Sequence, residues 1–146
     1  MSVTYVNARV FTGDKILDHH AVTVSNGTIT QVIPMVELGS IGQHIDLGGR
    51  LLAPAFIDLQ IYGGNGKVFS LYPSVESLTA TVNYSREGGA AWIMPTVATI
   101  GKEVMLEAMK AVRAYWAEGR SGVLGLHLEG PFINPAKKGA HLEQYI

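Results

Sequence analysis

Leu51-Leu-Ala-Pro-Ala-Phe-Ile-Asp-Leu-Gln-Ile61 is the stretch that decides the fold. It is a near-continuous apolar run, broken only by Pro54, Asp58 and Gln60. Such a run reads as a strand of a parallel sheet, covered on both faces. Upstream the pattern is different. Val3–Phe11 is rich in Val, Tyr and Phe, and Ala21–Ser25 and Thr28–Ile33 alternate apolar with polar residues. Asn26-Gly27 between the last two predicts a two-residue hairpin turn. Ser40, Gly42, Gly48 and Gly49 mark a loop-rich passage around a short strand at His44–Leu47. The change of pattern places a domain boundary between residues 50 and 51.

Downstream, Gly63, Gly64 and Gly66 read as a loop. Ser74 is placed to cap a helix, with Glu76 at the positive end of its dipole. Val75, Leu78 and Val82 give that helix an apolar face, and Gly88-Gly89 ends it. Ala90–Val97 reads as a second buried strand. Lys102–Glu118 is the clearest helix, with Met105, Ala108, Met109, Val112, Tyr115 and Trp116 spaced by three and four. Val123–Leu128 reads as a third buried strand. The order strand, helix, strand, helix, strand implies an α/β fold with a parallel sheet and right-handed crossovers. Three such strands leave open edges and a bare face, and a closed eight-stranded barrel needs roughly 250 residues. The chain is therefore expected to be the front part of a larger protein.

Composition narrows the function. The 146 residues carry 11 Lys and Arg against 12 Asp and Glu, a net charge of −1. Binding nucleic acid by bulk charge needs a basic surface, which this balance argues against. Charged residues are only 16% of the chain and apolar ones 47%, so disorder is not expected and much of the surface reads as meant to be covered. The absence of Cys removes disulfides and thiolate metal sites. No apolar run approaches the ~20 residues of a membrane span, and no secretory signal opens the chain. A cytoplasmic location is the expectation.

The densest chemical signal is His127-Leu-Glu-Gly-Pro-Phe-Ile-Asn134, followed by Lys137-Lys-Gly-Ala-His141. Glu129 stands where a buried strand runs into a Gly-Pro loop, and in parallel α/β folds the carboxyl ends of strands build the active site. A carboxylate there ligates a metal, acts as an acid or base, or simply caps backbone. His127 points to the same face two residues earlier. It reads as a histidine of a polar strand interior before a metal ligand. Lys137 and Lys138 read first as solvated, with an anionic substrate group as the alternative. Spacing leaves His141 open between a donor to substrate and an ordinary loop residue. Asp58, Gln60 and Tyr62 alternate onto one face, and Gln60 needs a partner if buried. Gly63-Gly-Asn-Gly66 is a weak match to a phosphate-cradling loop and lacks the lysine of a nucleotide-binding one.

These stretches together resemble the amidohydrolase superfamily, and within it the N-acetylglucosamine-6-phosphate deacetylases. The resemblance rests on Leu51–Asp58, on Gln60-Ile-Tyr-Gly-Gly64 and, most specifically, on Gly125–Asn134 with Lys137–His141. It covers essentially the whole chain, but only the first third to two fifths of such an enzyme. It implies the first part of a TIM-type (β/α)8 barrel over residues 51–146, preceded by part of a small β-sandwich domain over 1–50, both incomplete. It implies hydrolysis of N-acetyl-D-glucosamine 6-phosphate to glucosamine 6-phosphate and acetate, assisted by one divalent metal, zinc before iron, manganese or cobalt. Glu129 is implied as a metal ligand, and Ala140 and His141 as residues against the sugar. Two further His ligands and the general-base Asp are expected beyond residue 146, so the chain alone is expected to be inactive. Many relatives carry two metal-binding His where Gln60 and Tyr62 stand, which favours a one-metal site here. The alternatives are an amidohydrolase acting on another amide or cyclic amide, and a non-catalytic half-barrel. Open sheet edges predict a homo-oligomer or association with a partner.

Overall fold

The computed structural model describes residues 1–39 and 42–146. Ser40, expected in a loop, lies outside the described residues. The chain divides into two units, Met1–Pro54 and Ala55–Ile146.

In the first unit the central strand is β1 (Ser2–Phe11), which pairs antiparallel with β2 (Ile16–Ser25). β2 pairs antiparallel with β3 (Thr28–Pro34) through the expected Asn26-Gly27 turn. Both turn residues have positive φ, 50° and 78°, as a hairpin matching the strand twist requires. The other edge of β1 takes two short parallel partners, β4 (His44–Asp46) and β5 (Leu51–Leu52). Ala8, Val10 and Val22 form a small core, with Leu17, Val24, Leu47 and Leu52 packed against it.

The second unit is a parallel sheet of β6 (Phe56–Ile61), β9 (Ala90–Ala98) and β10 (His127–Glu129), with β9 in the middle. Between β6 and β9 lie the two-residue strands β7 (Gly63–Gly64) and β8 (Lys67–Val68) and helix α1 (Val75–Glu87). Helix α2 (Lys102–Ala117) links β9 to β10. Leu78 and Val82 of α1, Met105, Ala108 and Val112 of α2, and Ile93 and Val97 of β9 meet in one core. Ser74 caps α1 as expected, its Oγ accepting from Ser77 N at 3.1 Å. Three of the five buried residues of α1, Ser77, Thr81 and Ser85, carry hydroxyls. Thr81 and Ser85 bury their oxygens by donating to the carbonyls one turn earlier, at 2.8 and 2.9 Å. On α2 the buried face turns toward Ala111, leaving Met109 and Trp116 partly exposed.

Four expectations are corrected. Leu51–Ile61 is not one strand: Leu51–Leu52 joins the first sheet and Phe56–Ile61 the second. Pro54 lies in the connection, where a residue without an N–H costs no ladder bond. Nor is β6 covered on both faces, since Phe56, Ile57 and Leu59 are 71%, 56% and 58% exposed. Val123–Leu128 is interrupted too. Val123 bridges Ile93, and regular pairing resumes only at His127. Finally, the loop expected at Gly63–Gly66 is instead strand β7 followed by the Asn65-Gly66 turn of the β7–β8 hairpin. Asn65 and Gly66 repeat the positive-φ pair of the first hairpin, and a Cβ on Gly64 would stand 2.7 Å from Tyr84 Cβ of α1.

Candidate active site at the carboxyl ends of the parallel strands

The last residue of β10 is Glu129, and three features fix its place. Thr99, just past the end of β9, donates its hydroxyl to the Glu129 carbonyl at 2.9 Å. Gly130 follows at φ 108°, and a Cβ there would fall 2.0 Å from Thr99 Oγ1, so the close approach requires glycine. Tyr62, directly after β6, donates its hydroxyl to Glu129 Oε2 and accepts from Gln60 Nε2 at 2.9 Å. The neighbouring Glu129 carboxylate pushes the Tyr62 phenol above its usual pKa, because the phenolic proton is the one it binds.

The loop after Glu129 turns back on itself. Asn134 accepts from Ala136 N at 3.0 Å to open a short 3₁₀ turn, Pro135–Lys137. His141 N then donates to Lys138 O at 3.0 Å. The return brings His141 Nε2 to 3.7 Å from Glu129 Oε1. Tyr62, Thr99, Glu129, Ala140 and His141 thus line one cleft of about 330 Å³. A larger hollow of about 700 Å³ runs beside Phe56, Ile57 and Leu59 and reflects the bare flank of β6.

Glu129, Ala140 and His141, far apart in sequence from Tyr62, come together as one site. His127 lies beside this group. Its Nδ1 donates to Leu59 O at 3.1 Å, since a carbonyl only accepts. Asp58 turns to its own backbone and accepts from Gln60 N at 3.0 Å. Lys138 reaches the His141 carbonyl at 3.5 Å, and Lys137 ends the 3₁₀ turn. Sequence reasoning missed Thr99 and the Tyr62–Glu129 pair. Alternation placed Tyr62 on an inward face, but no spacing rule links positions 62 and 129.

Among the described residues no three His, Asp or Glu side chains gather as a metal site. The donors present fit a divalent metal in part. Glu129 turns one carboxylate oxygen into the cleft, and an oxygen donor suits zinc, manganese or iron.

Residues 4–52 match the NagA composite domain family. The chain is 35% identical to N-acetylglucosamine-6-phosphate deacetylase of Haemophilus influenzae over all 146 residues. It is 34% identical, over 92% of its length, to N-acetylgalactosamine-6-phosphate deacetylase of a Shewanella species. The crystal structure of N-acetylglucosamine-6-phosphate deacetylase from Pasteurella multocida superposes on the whole chain with a TM-score of 0.91 at 34% identity. The chain spans 38% of the Haemophilus protein and 34% of the Shewanella one. It corresponds to the N-terminal portion of the N-acetylglucosamine-6-phosphate deacetylases, a family of hydrolases.

Proposed function

We propose that this chain supplies part of the active site of a metal-assisted N-acetyl-D-glucosamine-6-phosphate deacetylase. The observation that carries the reading is the convergence of Glu129, Ala140 and His141 on one cleft at the carboxyl ends of parallel strands. In this reading residues 55–146 are the first β/α units of a (β/α)8 barrel, and residues 1–54 part of a small β-sandwich. Glu129 is a ligand of one divalent metal, zinc before iron, manganese or cobalt. When bound, such a metal polarises the acetamide carbonyl and acidifies a water. His141 presents a ring N–H for a sugar or phosphate oxygen. Ala140 has only a methyl, which lets the sugar approach the loop closely. The remaining metal ligands and a general-base Asp come from outside these residues.

The test is acetate release from N-acetyl-D-glucosamine 6-phosphate by the complete protein, with Glu129→Gln beside it. Activity that disappears together with bound metal in the variant supports the reading. Full metal content in Glu129→Gln removes Glu129 from the ligands. A second reading, a deacetylase for the galactosamine epimer, is favoured by the likeness to the Shewanella protein. The ratio of kcat/KM for the two sugar phosphates separates them. Residues 1–146 alone are proposed to be inactive and to self-associate through the exposed β6 flank, and sedimentation tests the second point. A cytoplasmic location belongs to the same reading. Among the described residues no helix is long and apolar enough to cross a membrane.

A further inference from the structure

The hydrogen bonds in the cleft have a fixed direction. The amide nitrogen of Gln60 only donates, so the Tyr62 oxygen accepts from it. The single phenolic hydrogen is then free to point only at Glu129, whose ionised carboxylate only accepts. One oxygen, Oε2, is thereby occupied, while Oε1 faces His141 across the cleft at 3.7 Å. The backbone carrying Gln60 is itself held. β6 has one extra residue against β9 between Asp58 and Ile61, opposite Met94 and next to Pro95, which has no N–H to give. The Leu59 carbonyl in this bulge is taken by His127 Nδ1 instead.

We propose that Tyr62 is the positioning residue of Glu129: its hydroxyl, oriented by Gln60, holds Oε2 and presents Oε1 alone to the metal. The proposal rests on the reading of Glu129 as a metal ligand. Tyr62 acts through Glu129 and is not itself a ligand. A ligand carboxylate held by a hydrogen bond keeps its rotamer when the metal leaves, so the metal finds a prepared donor.

The experiment uses the complete protein and reads the affinity for Zn²⁺ alone, by competition with a chelator, alongside kcat and KM. Tyr62→Phe removes one oxygen from a side chain that is 43% exposed, and its unfolding midpoint is measured as a control. Expected is a fall in Zn²⁺ affinity of about 10–100-fold, with kcat lowered and KM within about twofold of the parent. Gln60→Ala keeps the phenol but frees its orientation, so it falls less. Because Gln60 acts through Tyr62, the double variant binds Zn²⁺ no more weakly than Tyr62→Phe. Gln60→Ala also carries the test if Tyr62→Phe does not fold. Unchanged Zn²⁺ affinity in both single variants, with Glu129→Gln losing the metal, overturns the proposal and leaves the ligand reading standing. Full Zn²⁺ affinity in Glu129→Gln overturns both together.

Discussion

Residues 1–54 and 55–146 use glycine and asparagine for the same turn but put strands together in opposite ways. The first unit is mostly antiparallel, and neighbouring strands follow each other in the chain, so a tight turn at Asn26-Gly27 suffices. The three-stranded sheet of the second unit is parallel, so β9 and β10 must each wait for a helix to bring the chain back. The consequence is chemical. Parallel strands end together on one side, and that is where Glu129, Tyr62 and Thr99 meet. The antiparallel unit has its polar strain elsewhere, at two bulges where Asn7 and His19 take φ of 53° and 54°. Asn7 there donates to Asp46, whose carboxylate also receives Gly48 N at 2.7 Å. A bulge thus organises a surface loop in one unit and flanks the candidate site in the other.

The sharpest way to break this contrast is in the core of the second unit. Leu78→Ala empties a fully buried position, and a loss of about 2–5 kcal/mol is expected in denaturant unfolding. A loss below 1 kcal/mol would mean that the helices do not anchor the parallel sheet. Gly130→Ala should cost about 1–3 kcal/mol in backbone strain alone, and the collision with Thr99 moves Glu129 as well. Stability to unfolding should therefore fall, and, on the proposed reading of Glu129 as a ligand, so should the metal content of the complete protein. In the first unit, Gly27→Ala puts a Cβ at φ 78° and should cost about 1–2 kcal/mol. Nothing lies within 4 Å of that Cβ, so the whole effect is conformational. Ser74→Ala removes the cap of α1 and should cost about 1 kcal/mol.

The smallest effects come from pH, and they act at opposite ends of the scale. The Gly48 backbone N–H, then the Asn7 amide, hold Asp46 below the usual carboxylate range. Its contribution is complete above the unfolded value and is lost as pH falls through the lowered one. Burial pushes the Tyr115 phenol up, with Arg86 and Arg120 opposing. Its contribution is complete below the ordinary tyrosine value and is lost as pH rises through the raised one. Proton titrations followed by NMR for Asp46 and by ultraviolet absorbance for Tyr115 read the two directions separately. An Asp46 that titrates at or above the ordinary value would remove the link between bulge and loop.

Much of each unit was legible in the chain. Asn26-Gly27 predicts a hairpin because both residues tolerate positive φ, and the structure has it. The same signal at Asn65-Gly66 stood in plain sequence, hidden because its flanking strands are two residues long and carry no alternation. The helices followed from Ser74 and from the three-four spacing of α2. The start of β2 did not follow, because the bulge at His19 shifts the alternation on which strand reading depends. Glu129 was legible as a strand-end carboxylate. Its partner Tyr62 was not.

By itself the sequence determined the first hairpin turn, the two helices with the cap of α1, and which loop carries the candidate site, since all of these are set by neighbours a few residues apart. Only the tertiary structure decided that Leu51–Leu52 and Phe56–Ile61 go to different sheets, that Gly130 must have no side chain, and that Tyr62 meets Glu129 across 67 positions. Those outcomes depend on which backbones and side chains approach each other after the helices have returned the chain, and no local periodicity encodes that distance.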